Sequence, residues 1–300
     1  MGPPVEPLET MPETELPADP ADTLIDDIGQ AFRNNRLAML GLGVVCLLLL
    51  VALLAPWISP HDPFQVDLDQ RLLAPSWSHW LGTDKFGRDL LTRILYGTRI
   101  SLMVGLVPSF LSMLIGTLMG IVSGFYGGKT DFAIMRLADV MIAFPSLLLA
   151  MVVMYTLGAS LINIFIALSV VGWAGIARVV RSQTLSLRTK EFVEAAHANG
   201  VRRPVIMLRH IFPNVVPTLI VLFSLGIPEA IMWESTLSFL GVGAQPPTPS
   251  WGLLVANGKA FLFSAPWVAI APGVAILVTV LAFNFMGDGL RDALDPYMKD

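Results

Sequence analysis

Six charge-poor apolar stretches, each close to the length that crosses a lipid bilayer, constrain the fold of this chain more than any other feature. A helix needs about 20 apolar residues to span the hydrocarbon core. The stretches cover residues 37–57, 101–124, 134–157, 161–177, 215–239 and 266–285. Overall, 54% of the residues are hydrophobic and only 14% are charged, whereas soluble proteins carry about 25% charged residues. We therefore predict an all-α integral membrane protein with six transmembrane helices.

The polar segments around these stretches divide the rest of the chain. Residues 1–30 are rich in proline and acidic residues and are predicted to form a disordered acidic tail on the cytoplasmic side. Residues 31–58 contain the first helix, and residues 59–99 form a long segment outside the membrane. Residues 100–290 then form the transmembrane core, and residues 291–300 form the C-terminus.

Glycines and prolines indicate where helices approach each other and where regular structure ends. Gly105, Gly116 and Gly120 lie in the second stretch, where they permit close contact with a neighbouring helix. Three prolines fall between residues 241 and 265. We expect that part of the chain to be a loop with little regular structure.

The distribution of lysine and arginine predicts the orientation of the chain. With six helices, both termini share a face with the loops after the second and fourth helices, and that face carries 13 of the 19 basic residues. Loops rich in basic residues stay in the cytoplasm. Both termini are therefore predicted to be cytoplasmic, and residues 59–99 to be periplasmic or extracellular.

The basic segment between the fourth and fifth helices, residues 188–213, has the pattern of a helix, a turn and a second helix. Gly200 suits the left-handed position that ends a helix, and Pro204 suits the first turn of the next one. Ala195, Ala196 and Ala198 give the first helix a small, smooth surface near its end. Such a surface can enter a groove on a partner protein.

This segment resembles the coupling loop of permeases from binding-protein-dependent ABC importers. The resemblance lies in the Glu-Ala-Ala triplet, the glycine that follows after three residues, and the Ile-Phe-Pro ending, in which Phe212 stands where the family usually has leucine. We expect that departure to be a conservative packing change. The resemblance implies that the ATPase contact involves Glu194, Ala195, Ala196, Gly200, Ile211, Phe212 and Pro213.

Further motifs narrow the resemblance to the dipeptide/oligopeptide permease group and extend it over roughly residues 31–300. They include His79-Trp80-Leu81-Gly82-Thr83-Asp84, Gly87-Arg88-Asp89, Phe125-Tyr126-Gly127-Gly128, Leu237-Ser238-Phe239-Leu240-Gly241 and Gly287-Asp288-Gly289-Leu290-Arg291-Asp292. The chain is most similar to the second of the two permeases in such systems. The resemblance implies the type I (MetI-like) importer fold and inward transport of short peptides, although relatives also carry nickel chelates, glutathione or oligosaccharides.

The same resemblance implies the partners and the location. These are a homologous second permease, two ATPase subunits that bind ATP and magnesium, and an external substrate-binding protein, all at the bacterial inner membrane. This chain would then be no enzyme itself and would bind no cofactor. Residues 127–130 are similar to the end of a phosphate-binding loop. The motif is incomplete, because Ser123 stands where that loop needs its first glycine.

Four acidic residues, Asp139, Glu229, Glu234 and Asp288, lie in or near the predicted helices. A charge inside a membrane is unfavourable and usually faces a polar cavity or a charged partner. Asp139 can pair with Arg136 on one helix face, so for Asp139 and Asp288 we favour a structural role over a place in the translocation pathway. For Glu229 and Glu234 both roles stay open, and we expect one of them to meet the amino terminus of a peptide.

Two other functional classes are alternatives to the importer. An intramembrane enzyme would need a nucleophile with a base, or a cluster of histidines and carboxylates, within the helices, and neither is evident in the sequence. A passive channel or scaffold would work without ATPase partners.

The sequence predicts no metal site. The four histidines are too dispersed in sequence to resemble one; they are His61, His79, His197 and His210. The single cysteine, Cys46, is interpreted as apolar packing.

Overall fold

The structure, a computed structural model, describes residues 29–294 and is helical throughout its regular elements. Residues 1–28 of the predicted acidic tail, and residues 295–300 of the predicted C-terminus, lie outside the described residues. The last two residues of the predicted tail, 29 and 30, are helical. Within residues 29–294 the chain forms no β-strand, which confirms the predicted all-α class.

A helical stretch at residues 29–34 comes first in the described chain, and ten helices follow it. They are α1 (Arg36–Ile58), α2 (Leu90–Tyr126), α3 (Gly128–Ala143), α4 (Ser146–Leu157), α5 (Leu161–Leu187), α6 (Glu191–Ala198), α7 (Arg203–Ile206), α8 (Phe212–Phe239), α9 (Trp251–Gly258) and α10 (Trp267–Leu294). Short 3₁₀ turns lie at Leu68–Gln70 and Lys259–Phe261, and a π-helical turn at Met207–Ile211 joins α7 to α8. Five segments are long and apolar enough to cross a membrane: α1, α2, α5, α10 and the continuous helix Arg203–Phe239.

The third predicted membrane helix, residues 134–157, is not one straight helix. It is divided between α3 and α4, which meet at an angle of 92°. Phe144, between the two, has the extended dihedral angles φ −86° and ψ 138°. The ring of Pro145 clashes with a helical conformation at the preceding residue, so the chain turns there. The predicted total of six is reached only if α3 and α4 together form one broken span.

The predicted helix ends fall short of the observed ones, because uncharged stretches mark the part of a helix that lies in lipid rather than its full length. Helix α2 begins at Leu90, where the carboxylate of Asp89 caps it by accepting the backbone N–H of Thr92 at 2.8 Å. Helix α5 continues well beyond the predicted end at residue 177 to Leu187. Polar residues that the sequence suggested as loop are therefore helical.

The expectation of little regular structure between residues 241 and 265 is wrong, because α9 lies there. Trp251 anchors it with a side chain that is only 1% exposed. Its indole N–H donates to the carbonyl oxygen of Ile94 at 3.1 Å, and its backbone N–H donates to the hydroxyl of Ser101 at 3.0 Å. This tertiary burial orders a proline-rich stretch that local sequence signals predict to be irregular.

Small residues set the contacts between the long helices, as predicted for the glycines of α2. A methyl group added at Gly120 would lie 2.6 Å from Cβ of Val180 in α5, and Gly116 lies equally close to that helix. Gly105 faces α8, where an added methyl would lie 2.8 Å from the side chain of Ile227. Since real Cβ contacts are longer than this, glycine is required for these helices to approach so closely.

Helix α1 packs on the outside of this core, mainly against α10. Ala38 and Gly41 are buried there, and a methyl group added at Gly41 would lie 2.5 Å from the carbonyl oxygen of Ala282. Much of the remaining surface of α1 consists of exposed leucines, including Leu47 and Leu53, as expected for a helix that faces lipid. The helix is thus held by one stripe of small residues.

Helix α2 separates two polar parts of the molecule. With 37 residues it is about 55 Å long, which exceeds the thickness of a bilayer. Residues 59–89, here called the α1–α2 segment, precede its first turn. Residues 191–206, here called the α6–α7 segment, pack against Phe125 near its last turn. The two segments therefore lie at opposite ends of the transmembrane core.

Candidate functional site

The α6–α7 segment has the predicted order of helix, turn and helix. Helix α6 ends at Ala198, and Gly200 follows in the left-handed conformation with φ +72°. The turn is closed by a hydrogen bond from the N–H of Val201 to the carbonyl oxygen of Ala196, 3.1 Å long. Pro204 lies in the first turn of α7. Both residues occupy the positions for which their backbone properties suit them.

A small apolar cluster fixes this segment to the core. Val193, Ala196 and Ile206 are buried and pack with Phe125 from the end of α2 and with Val201. The ring of His197 also stacks on Phe125, with the ring centroids 5.8 Å apart. The segment is therefore a packed unit whose position depends on the end of α2.

The opposite face of the segment is exposed although much of it is apolar. Phe192 is 43% exposed and Val205 is 41% exposed, and the small side chains of Ala195 and Ala198 are exposed as well. In the π-helical turn that follows the segment, Leu208 is 70% exposed. Soluble surfaces seldom gather large apolar side chains in this way unless a partner covers them. This face has the composition of a protein contact surface.

The seven residues predicted to contact an ATPase divide into two groups. Glu194, Ala195, Gly200, Phe212 and Pro213 are exposed. Ala196 and Ile211 are buried instead, Ala196 in the cluster around Phe125 and Ile211 in a second cluster at the start of α8. The exposed residues can touch a partner directly, whereas the two buried ones hold the shape of the surface.

The segment continues without a break into a membrane-crossing helix. The π-helical turn Met207–Ile211 joins α7 to α8, so that Arg203–Phe239 forms one helix of 37 residues. Displacing α7 would therefore displace the end of α8 as well. A π-helical turn at this junction is also a common mark of a functional position.

An ion-pair network braces the neighbouring helix ends. The guanidinium of Arg181 in α5 donates to both carboxylate oxygens of Asp131 in α3, at 2.5 and 2.6 Å. The hydroxyl of Ser123 in α2 donates to the same carboxylate, and Arg188 donates to the carbonyl oxygen of Gly124 at 3.1 Å. This network could not be predicted from the sequence, because the partners Asp131 and Arg181 are 50 positions apart.

A cavity of about 510 Å³ lies between α2, α5, α8 and the break between α3 and α4. Its lining includes two serines, Ser109 and Ser112, and two glycines, Gly172 and Gly226. The acidic residue Glu229 also lines it. Glu229 accepts a hydrogen bond from the indole N–H of Trp233 at 3.3 Å. The cavity thus combines apolar walls with one acidic group.

The other three acidic residues from the sequence analysis lie elsewhere. Glu234 is fully buried, and its Oε1 accepts hydrogen bonds from the hydroxyls of Ser238 at 2.6 Å and Ser250 at 2.8 Å. Asp139 pairs with Arg178 at 2.7 Å, more closely than with Arg136 at 3.9 Å. Asp288 is exposed near the end of α10. Within the described residues these three do not line the cavity around Glu229.

The four histidines are not all dispersed in space. His61 and His79, both in the α1–α2 segment, stack with their ring centroids 4.8 Å apart. The expectation of dispersed histidines is therefore wrong for this pair. The residues are separated along the chain but are joined by the fold of the segment.

Two family models match this chain. Residues 116–300 match the model described as the binding-protein-dependent transport system inner membrane component. Residues 23–75 match the N-terminal transmembrane domain of oligopeptide transport permease C. The first match covers more than half of the chain and includes both the α6–α7 segment and most of the helices that line the cavity.

Curated relatives are similar over nearly the whole chain. The dipeptide transport system permease protein DppC of Alkalihalophilus pseudofirmus is 42% identical, with 98% of each chain covered. The oligopeptide transport system permease protein OppC of Haemophilus influenzae is 43% identical over 91% of this chain and 89% of its own. The glutathione transport system permease protein GsiD of Escherichia coli O157:H7 is 44% identical, with 89% of each chain covered.

One solved structure shares the fold. A chain of the MetNI methionine ABC transporter, solved in inward-facing conformations, superposes with a TM-score of 0.56 and 20% sequence identity. The likeness covers 69% of this chain and 96% of the other. At this level of identity the comparison concerns the fold alone.

Proposed function

This chain belongs to the family of binding-protein-dependent transport system inner membrane components, and from that premise we propose how it takes part in transport. It is a permease subunit of an ABC importer with the type I fold, as the sequence predicted. As its substrate we propose short peptides. Two relatives are named for dipeptide and oligopeptide transport, and a third for glutathione, which is itself a short peptide.

We propose that the exposed face of the α6–α7 segment is where an ATPase subunit docks. The observation that carries this proposal is a packed helix–turn–helix that exposes Phe192, Ala195 and Val205 and continues directly into α8. Closure of two ATPases around ATP would move this segment, and the continuous Arg203–Phe239 helix would carry the movement into the membrane. Nucleotide and loaded binding protein would thereby shift the balance between two states of the permease pair.

The proposed orientation puts the α6–α7 segment and both termini in the cytoplasm of a bacterial cell, with the α1–α2 segment outside. The basic residues of residues 188–213 support this orientation by the positive-inside rule. The opposite placement of the two segments along α2 supports their being on different sides of the membrane. An external binding protein would then deliver the substrate from the side of the α1–α2 segment, beside a homologous second permease.

Glu229 is proposed as the group that receives the amino terminus of the peptide. Its carboxylate lines the cavity, and an ammonium group is the natural partner of a carboxylate within a membrane protein. Glu234 is not proposed for this role, because its hydrogen bonds to Ser238 and Ser250 hold it inside the protein. The sequence left these two residues as equal candidates, and the cavity beside Glu229 supports the choice proposed here.

The proposed function is tested by reconstituting the chain with its second permease, two ATPase subunits and the binding protein in liposomes. We expect accumulation of a labelled dipeptide or oligopeptide that requires ATP and the binding protein. Uptake of nickel or a sugar without any peptide uptake would contradict the proposed peptide substrate. Substrate flux that proceeds equally without ATP would favour a channel and contradict the proposed importer function.

A further inference from the structure

Three potential metal ligands meet in the α1–α2 segment: His61, His79 and Asp89. One ligand atom from each lies within 4.8 Å of the others. Oδ1 of Asp89 is 2.9 Å from Nδ1 of His79, and Oδ2 of Asp89 is 3.8 Å from Nδ1 of His61. Donor atoms around a tetrahedral zinc ion lie roughly 3.4 Å apart, given metal–ligand distances of about 2.0–2.1 Å. The distance to Oδ1 is shorter than that value, and the distance to Oδ2 is longer.

Each ligand is held by a separate part of the chain. Asp89 caps α2, and its second carboxylate oxygen already accepts the N–H of Thr92 at 2.8 Å. His61 follows the end of α1, and its backbone N–H donates to the hydroxyl of Thr92 at 3.3 Å. His79 is buried, with an exposure of 8%. The three side chains thus join the end of one transmembrane helix to the beginning of the next.

A chain of hydrogen bonds directs the lone pair of His79 towards Asp89. The side-chain amide nitrogen of Gln70 donates to a carboxylate oxygen of Asp67 at 2.7 Å, which fixes the orientation of the amide. The amide oxygen of Gln70 therefore faces Nε2 of His79, also at 2.7 Å, and that nitrogen must carry a hydrogen. In a neutral ring Nδ1 is then unprotonated and lies 2.9 Å from a carboxylate oxygen.

Two acceptor atoms at that distance repel each other unless one cation binds both. The ring of His61 stacks on that of His79 and brings a third potential ligand atom to the same place. The two rings are inclined by 30°, and Nδ1 of His61 is also turned towards the carboxylate of Asp89. A metal ion can bind both imidazoles and the carboxylate at once. Protein metal sites typically include a further residue that hydrogen-bonds to a ligating histidine and orients its ring, as Gln70 does here.

We propose that His61, His79 and Asp89 bind a divalent transition-metal ion of the zinc class. Imidazole nitrogens and a carboxylate oxygen suit such an ion. His61 has a side chain that is 38% exposed, so water can reach the ion and complete its coordination. The bound ion would fasten the α1–α2 segment to the ends of α1 and α2. This proposal does not depend on the identity of the transported substrate.

The test uses the full chain in detergent micelles, purified without a histidine tag and stripped of metal with a chelator. Titration with Zn²⁺ alone, followed by calorimetry, is expected to show one saturable site per chain. His61→Ala is expected to weaken that binding by at least about tenfold, since even changes in outer-shell partners commonly have effects of this size. His61 is chosen because its side chain is partly exposed, whereas replacing the buried His79 could prevent folding.

His210→Ala provides the matched control, because His210 lies in the π-helical turn far from this cluster. It should bind Zn²⁺ as the unaltered chain does. Titration with Co²⁺ gives an independent readout, since absorption bands of a four-coordinate cobalt site should be visible in the unaltered chain and lost in His61→Ala. Absence of saturable Zn²⁺ binding, or equal binding by His61→Ala, would overturn the proposal.

Discussion

Glu229 and Glu234 occupy the same helix, yet one carboxylate lines the central cavity and the other is enclosed by hydroxyl groups. Both are identifiable from the sequence as acidic residues in an apolar stretch. The difference between their surroundings is not identifiable from the sequence, because Ser250, whose hydroxyl donates to Glu234, lies beyond the end of α8. At the residue scale, the sequence therefore identifies unusual side chains but not the partners that decide their roles.

Replacement of the cavity carboxylate tests its proposed role in transport. Glu229→Gln should reduce ATP-dependent uptake of a labelled dipeptide by roughly tenfold, since a hydrogen bond to a charged group contributes about 1.5–3 kcal/mol. Asp288→Asn removes a comparable charge at an exposed position and should leave uptake unchanged. Full uptake by Glu229→Gln, with normal amounts of assembled complex, would exclude the proposed contact with the peptide.

Glu234 should behave differently, as a residue that stabilises the fold. Glu234→Ala leaves the hydroxyls of Ser238 and Ser250 without their buried acceptor, at a cost of about 1–3 kcal/mol. We expect a lower thermal unfolding temperature for the purified chain in detergent. Glu234→Gln, which retains one acceptor oxygen, should be less destabilised than Glu234→Ala. An unchanged unfolding temperature in both variants would contradict this structural role.

At the scale of the elements, apolar stretches predict which parts of the chain cross the membrane but not how those parts bend or join. Pro145 divides one predicted span into α3 and α4, and its effect on Phe144 could be read from the sequence. Helix α9 could not be read from the sequence, because it is ordered by burial of Trp251 and its hydrogen bonds to α2, which lies far away along the chain. Local signals thus account for the break, whereas tertiary contacts account for the unexpected helix.

The packing of α1 on α10 gives a prediction with its own control in the same helix. Gly41 lies against the backbone of α10, whereas a side chain at Gly43 would meet no atom within 4 Å. Gly41→Leu should therefore push the two helices apart and lower the unfolding temperature of the chain in detergent. Gly43→Leu should be tolerated. Equal destabilisation by the two substitutions would show that the close contact at Gly41 is not what holds α1.

At the scale of the whole molecule, the account depends on mechanical continuity from the α6–α7 segment to the cavity. The segment packs on the end of α2 and continues into α8, and both helices line the cavity. The sequence located the segment by its motif, and its helix–turn–helix geometry followed from Gly200 and Pro204. The burial of Ala196 and Ile211 could not be predicted, because it depends on Phe125 and on the core of α8.

The most direct test of this account is cross-linking of the α6–α7 segment in the assembled transporter. After Cys46→Ser removes the single native cysteine, Ala195→Cys should be joined to an ATPase subunit by a short thiol-reactive linker, with a yield that changes on addition of ATP. Ser78→Cys, exposed at the opposite end of α2, should give no such product. An ATPase product from Ser78→Cys, or none from Ala195→Cys in a complex that transports normally, would contradict the coupling role of this segment.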